Sequence, residues 1–174
     1  MYQLRLLSPR EDIDLYREAY TWRERPKKHV QPDRMSFEDF SSDDPRHLAI
    51  GLFNGRLLAI YFLHELEPGN FQAHFTSQRG IPYFPLLEGA RKVTRAILEN
   101  GGSEIHAWIT PRNAALKKFL EALWFTPVET KSFPKNKDSE SDTVQPFVKY
   151  VLSMDQSNRI KRQKADEHSE QPNG

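Results

Sequence analysis

Three side chains in the middle of the chain could exchange a proton near neutrality or accept one from a reacting group: His64, Glu65 and His74. An imidazole has an ordinary pKa of about 6.5, which suits a general base. His74 sits in a run where Phe71, Ala73 and Phe75 alternate with Gln72, His74 and Thr76. That period of two predicts a strand with His74 on its polar side, where a histidine is ordinarily solvated or hydrogen-bonded. Glu65, at the end of the preceding apolar run, is the second candidate base. His64, Glu65 and His74 do not repeat at H-x-x-x-H or H-E-x-x-H spacing, so no catalytic metal is expected. The chain contains no cysteine, which removes disulfides, thiolate metal sites and a cysteine nucleophile together. Neither G-x-S-x-G nor the G-x-x-x-x-G-K-S/T phosphate loop occurs, so hydrolase and nucleotidase readings lack a warrant.

The elements that must position these groups read clearly in residues 84–125. Leu86, Leu87, Ala90, Val93, Ile97 and Leu98 recur at spacings near three and four, one apolar stripe of a helix. Gly101 and Gly102 can end it in the left-handed conformation. Ile105, Ala107 and Ile109 alternate with Glu104, His106 and Thr110 in a strand that Pro111 stops. Asn113 is a good N-cap for a second helix, with Leu116, Phe119, Leu120 and Leu123 as its stripe. The unit is helix, strand, helix.

The rest of the chain supplies a meander. Residues 2–7 form a first strand, and Ser8-Pro9-Arg10-Glu11 reads as a capping box opening a helix with Ile13, Tyr16, Ala19 and Tyr20 buried. The basic, proline-containing stretch 23–34 reads as a loop, and Ser36 with Asp39 opens one short helix over Phe37 and Phe40. His47–Phe53 and Arg56–Leu66 are strands around the hairpin signal Asn54-Gly55. The second of them is apolar on both faces from Leu57 to Leu63, which predicts a central strand. Pro68-Gly69-Asn70 turns into the strand of His74, and residues 77–83 form a loop. Residues 127–132 are a weak strand, 134–145 a hairpin loop and 147–152 a closing strand that could pair with another subunit as an edge.

Composition bounds the function. At 174 residues the chain suits one domain, read as 1–153, with a polar, disordered tail over 154–174. Lys and Arg total 25 against 24 Asp and Glu, so charge makes no case for a nucleic-acid or membrane surface. The basic cluster Arg159–Lys164 is the sole basis for a nucleic-acid reading and is expected to be solvated chain. No signal-peptide core or membrane span is legible, so a cytoplasmic protein is expected.

The predicted order, β-α-(α)-β-β-β-α-β-α-β-β, resembles the GNAT (Gcn5-related N-acetyltransferase) fold. LRLLSPREDIDLYREAY is similar to the family's first strand and helix, HLAIGLFNGRLLAIYFL to its second and third strands, and EIHAWITPRNAALKKFLEALWF to its fifth strand and fourth helix. The resemblance implies an α/β (α+β) chain with a mixed sheet of about 6–7 strands and helices on both faces. It also implies acetyl-CoA bound in a cleft between strands four and five, with the pyrophosphate on backbone N–H groups at the start of helix three.

Carried onto this sequence, the resemblance puts Phe75 or Thr76 against the thioester carbonyl and Arg79 and Gly80 near the phosphates. Asn113 and Phe119 match the pattern of helix four, and His74 or Glu65, directly or through water, takes the amine proton. Three positions depart from the family. The loop Ser77-Gln78-Arg79-Gly80-Ile81-Pro82-Tyr83-Phe84-Pro85 keeps one glycine and adds prolines, which lack a donor N–H. Leu120 stands where a tyrosine often serves as general acid, and Trp124 stands where a glycine precedes the final phenylalanine.

Two readings follow. One is an acyl-CoA-dependent N-acyltransferase acting on an amine. The other is a catalytically inactive binding or assembly protein with a protein partner, similar to phage-encoded members of the fold and then virion-associated. In that second reading Trp108 and Trp124 are contact surfaces.

Overall fold

The computed structural model describes residues 1–24, 36–134 and 144–155. The elements run β1 (Gln3–Leu6), α1 (Ile13–Glu24), α2 (Phe37–Phe40), β2 (His47–Phe53), β3 (Leu57–Glu67), β4 (Asn70–Ser77), α3 (Tyr83–Glu99), β5 (Glu104–Ile109), α4 (Ala114–Ala122), β6 (Thr126–Pro134) and β7 (Val144–Ser153). The strands form one sheet in the order β1-β2-β3-β4-β5-β7-β6. β4 and β5 run parallel, and every other neighbouring pair is antiparallel. This is the mixed α/β sheet with helices on both faces that the sequence predicts.

β3 is buried from Leu57 to Leu63 because both of its faces are covered. On one face, α3 and α4 pack Leu86, Ala90, Val93 and Leu120 against Tyr61, Leu63 and Ile105. On the other, α1 and α2 pack Tyr16, Ala19, Trp22 and Phe40 against Ala49, Ile60 and Phe62. Each large apolar side chain fully buried this way contributes about 1.5–3 kcal/mol. Tyr61 also seats α3 directly: its hydroxyl donates to the Leu86 carbonyl at 2.7 Å, and a Cβ added at Gly89 would run into it. Gly89 is therefore a close-approach glycine.

Several expectations change in the structure. The helix predicted after Ser8 begins later, at Ile13. The Asp12 carboxylate accepts the Ser8 N–H at 2.9 Å and the Arg5 guanidinium at 2.8 Å, and this holds a turn ahead of the helix. The segment 147–152 is no edge. It lies in β7, between β5 and β6, because Glu104–Ile109 pairs with it along its whole length, and the edge falls to β6. Trp124 takes the left-handed conformation, φ 69°, just past α4. The Phe125 N–H then reaches the Leu120 carbonyl and the Trp124 N–H the Glu121 carbonyl, both at 3.0 Å, a Schellman cap that normally uses glycine. Trp124 is 47% exposed there. Trp108 is half-buried, with Phe133 edge-on at 5.4 Å and Lys131 Nζ over its ring at 5.7 Å.

Of the hairpin loop expected over 134–145, Pro134 ends β6 and residues 144 and 145 open β7, while 135–143, most of the basic loop over 23–34 and the tail beyond residue 155 with its basic cluster lie outside the described residues. Among the described residues no helix is long and apolar enough to cross a membrane.

Candidate active site

β4 starts beside β5 and then leaves it. Asn70, Phe71 and Gln72 pair with Glu104, Ile105 and His106, and the pairing stops there. β4 continues to Ser77 on β3, and β5 continues to Ile109 on β7. The two strands splay, and an apolar cavity of about 100 Å³ lies behind the opening, lined by Ala73, Ala90, Val93, Ala107, Leu120 and Leu123 among others.

Strand parity decides which main-chain groups face the splay. The Gln78 N–H donates to the Leu58 carbonyl of β3 at 2.9 Å. Alternation in an antiparallel ladder then directs the amides of Thr76 and His74 towards β3 as well, and those of Ala73 and Phe75 towards β5. Of the two amides expected at a thioester carbonyl, Phe75's faces the opening. Thr76's is turned away into the β3 ladder, which corrects that half of the expectation.

Side chains sort by the same alternation. Phe75 points to the α3/α4 side, where it stacks on Phe119 at 5.5 Å and 22° and leans on Tyr61 at 5.4 Å. Tyr83 meets Phe119 edge-on at 5.9 Å, so three aromatic rings cover the open end. His74, paired with Phe62, points to the α1/α2 side, where it is half-buried with its ring 6.3 Å from that of Phe62. Glu65 lies on the α3/α4 side, opposite Phe71, and its Oε1 accepts the Gly69 N–H at 2.8 Å. The structure therefore does not bring His74 and Glu65 together: they occupy opposite faces, and Glu65 fastens the β3–β4 turn at the closed end.

The approach to α3 holds Arg79, exposed, and Gly80, whose φ of +77° is the glycine-favoured region. The Gln78 side chain ties this loop to Glu18 of α1 at 3.0 Å. Pro82 occupies the N-cap position and makes no side-chain cap bond. Because Pro82 and Pro85 have no N–H, Tyr83 and Phe84 remain the main-chain donors at the opening of α3. Asn113 caps α4 as predicted, its Oδ1 accepting the Leu116 N–H at 3.1 Å.

Other residues escaped the sequence reading. His106 is buried, its Nδ1 3.2 Å from Asn70 Oδ1, and it stands opposite Gln72 in the last paired row of the β4–β5 ladder. In the same row, His47 and His64 face each other across β2 and β3 with ring centroids 4.2 Å apart. Burial and then the His64 charge hold the His47 imidazole below its ordinary pKa. Tyr61 lines the cavity, but burial pushes its hydroxyl well above the ordinary phenol range, and its proton is given to Leu86. Only the pairing register reveals these neighbours, since His47, His64 and Asn70, His106 are far apart in sequence.

Neither a protein-family model nor a curated protein sequence matches the chain. Solved structures do. An N-acetyltransferase from Staphylococcus aureus Mu50 superposes with a TM-score of 0.71 at 13% identity, over 88% of this chain and 97% of that one. The ribosomal-protein-S18-alanine N-acetyltransferase from Escherichia coli gives 0.66 at 16% identity, over 88% and 94%. An aminoglycoside acetyltransferase in complex with coenzyme A gives 0.63 at 14% identity, over 92% and 99%. At such identities the likeness concerns the backbone. Strand order and, among the described residues, the one parallel pair and the placement of four helices give this chain the GNAT fold.

Proposed function

We propose that the protein transfers an acyl group from a CoA thioester to an amine. The observation that carries this reading is the splay of β4 from β5, with the Phe75 N–H directed into it. The groups present fit the pantetheine arm of CoA: main-chain donors and acceptors of Ala73 and Phe75 line an opening that the sheet itself leaves without a partner strand. The thioester supplies an activated carbonyl when bound. A fixed N–H aimed at its oxygen stabilises the negative charge that develops there as the amine attacks, which is the largest contribution such sites usually make.

The amine nitrogen forms the new C–N bond, the C–S bond breaks, and the sulfur leaves as CoA thiolate. His74, on the α1/α2 side of the opening, takes the proton the amine loses. Leu120 cannot protonate the thiolate, and Tyr61 holds its proton on Leu86. A thiolate is a far weaker base than an alkoxide or amide anion and leaves without an acid, so water supplies that proton. At the phosphate end, Arg79 and the amides of Gly80, Tyr83 and Phe84 are the donors within reach of the α3 opening, fewer than a proline-free loop would offer.

Those two prolines, with Phe84 68% exposed beside them, favour the second reading, a GNAT-fold binding module without catalysis. Calorimetric titration with CoA and acetyl-CoA separates the two. Micromolar binding is the expected result, and no heat and no thermal shift at millimolar ligand would sink the transferase reading. Given binding, Phe75→Pro should lower kcat/KM by about 10²–10³ relative to Phe75→Ala, because it removes the N–H as well as the ring. His74→Ala should lower kcat by about 10²-fold or more.

A further inference from the structure

We infer that Tyr61 is a positioning residue for the acyl-CoA, its hydroxyl anchoring the first turn of α3 and its ring anchoring Phe75. The inference rests on the acyltransferase reading and concerns how the two ends of that site keep their spacing.

The opening of α3 has no anchor of its own at the cap. Pro82 stands at the N-cap and makes no side-chain cap bond. A serine, threonine or aspartate there would fix the turn by taking the Phe84 N–H, since Pro85 has none. Its absence leaves the Tyr83 and Phe84 N–H groups to a ligand phosphate, and the turn has to be held from elsewhere.

Tyr61 holds it from the sheet side. The ring is buried, and the hydroxyl donates to the Leu86 carbonyl in that first turn at 2.7 Å. A carbonyl oxygen has two lone pairs, so Leu86 can accept Tyr61 and an N–H of the next turn together. Gly89 makes the approach possible, because a Cβ there would lie 2.3 Å from the Tyr61 oxygen. A buried hydrogen bond to main chain fixes distance and direction, which apolar packing does less strictly.

The same ring reaches the thioester end. Tyr61 stands opposite Phe75 in the β3–β4 register, with ring centroids 5.4 Å apart. Phe75 stacks on Phe119 at 5.5 Å, and Phe119 meets Tyr83, the first residue of α3, at 5.9 Å. Leu86, Tyr61, Phe75, Phe119 and Tyr83 therefore form a closed circuit of contacts. Within it the Tyr61–Leu86 link is a hydrogen bond and the links among the aromatic residues are ring contacts. A ligand that meets the Phe75 N–H with its carbonyl and the α3 opening with its pyrophosphate is sensitive to the distance between them. A misplacement of about 1 Å at such a site can cost about 10²-fold.

The test is calorimetric titration of the full chain with CoA, below the thermal midpoint of each protein compared. The proteins are the unaltered chain, Tyr61→Phe, Gly89→Ala, the double variant and Tyr16→Phe. Tyr61→Phe keeps the ring on Phe75 and removes only the hydroxyl, so the dissociation constant should rise about five- to tenfold. Gly89→Ala pushes α3 off the hydroxyl and should raise it by a similar factor. Both changes act on one contact, so the double variant should bind no more weakly than the weaker single one. Tyr16→Phe removes a buried hydroxyl from the opposite face, where it bonds the Leu7 carbonyl at 3.4 Å. It should lower the thermal midpoint and leave CoA affinity unchanged, which separates positioning from stability.

Unchanged CoA affinity in folded Tyr61→Phe, or an equal loss in Tyr16→Phe, would overturn the inference and leave the acyltransferase reading standing. Losses that multiply in the double variant would overturn it too. Should Gly89→Ala not fold, the comparison of Tyr61→Phe with Tyr16→Phe decides alone. Failure of the unaltered chain to bind CoA at millimolar concentration would overturn both readings.

Discussion

The two ends of β4 are made of the same strand and solve opposite problems. At the closed end, Asn70, Phe71 and Gln72 share a ladder with β5, and polar groups add to it. Asn70 meets His106 at 3.2 Å, Glu65 takes the Gly69 N–H at 2.8 Å, and the Ser103 N–H reaches the Gly69 carbonyl at 2.7 Å. At the open end, from Ala73 onward, there is no ladder to β5. Phe75, Phe119 and Tyr83 close the gap with ring contacts alone. Hydrogen bonds are directional and fix a register, whereas ring packing tolerates displacement at modest cost. The difference leaves one end of β4 held in register by a ladder and the other without a strand partner on the β5 side.

Variants can break or sharpen this contrast. The largest effect should come from Phe119→Ala, which removes the ring central to the open end. A buried Phe→Ala change costs about 3–5 kcal/mol, read by denaturant unfolding, and a cost under about 1 kcal/mol would mean the aromatic cover is not a packed element. Next comes Gly89→Ala, which drives a methyl into the Tyr61 hydroxyl and lifts α3 from β3. It should destabilise by about 1–3 kcal/mol despite alanine's better helix propensity. The penalty should shrink in a Tyr61→Phe background, because the clashing oxygen is gone, and an equal penalty in both backgrounds would locate the strain elsewhere.

Asn70→Ala tests the closed end by removing the side-chain oxygen that the buried His106 Nδ1 meets at 3.2 Å. About 1–3 kcal/mol should be lost, with cleavage of the 68–72 turn by a protease rising in step. The smallest effect concerns pH. His47 faces His64 from β3, Phe62, Asp44 and Arg46 before it in the chain, and Asp39 of α2, and its folded pKa is depressed. Above about pH 6.5 both folded and unfolded imidazoles are neutral, so the full stability is present. As pH falls below that value the unfolded state binds the proton first, and stability is lost down to the folded pKa. The thermal midpoint should drop between about pH 7.5 and about pH 5.5, and the drop should be smaller in His47→Leu. An unchanged drop in the variant would place the titrating group elsewhere.

Much of the fold was legible because it rests on local rules. The Leu86–Leu98 stripe, the Gly101 stop, the Asn113 cap and the Asn54-Gly55 turn each depend on neighbours within a few residues, and each appears where the pattern predicts. Ser8 misled because Asp12 offers a stronger acceptor one turn later, with Arg5 folded back onto it. The order of the last two strands was not legible, since 147–152 has the composition of an edge or an interior strand alike. The candidate site was half legible. Phe75, Phe119 and His74 lie at or beside the opening, while Glu65 went to the turn and the Thr76 amide to the β3 ladder.

The sequence by itself determined the elements, their order and the faces they bury, because periodicity and caps act over one or two turns of chain. Tertiary structure alone decided where β4 parts from β5, which amide looks into the gap, and which carbonyl takes the Tyr61 proton. The first depends on pairing between strands more than thirty residues apart, the second on the β3–β4 register, and the third on a contact between residues 25 apart. A shift of one residue there exchanges every donor and every side chain between the cleft and the core, without changing any local pattern.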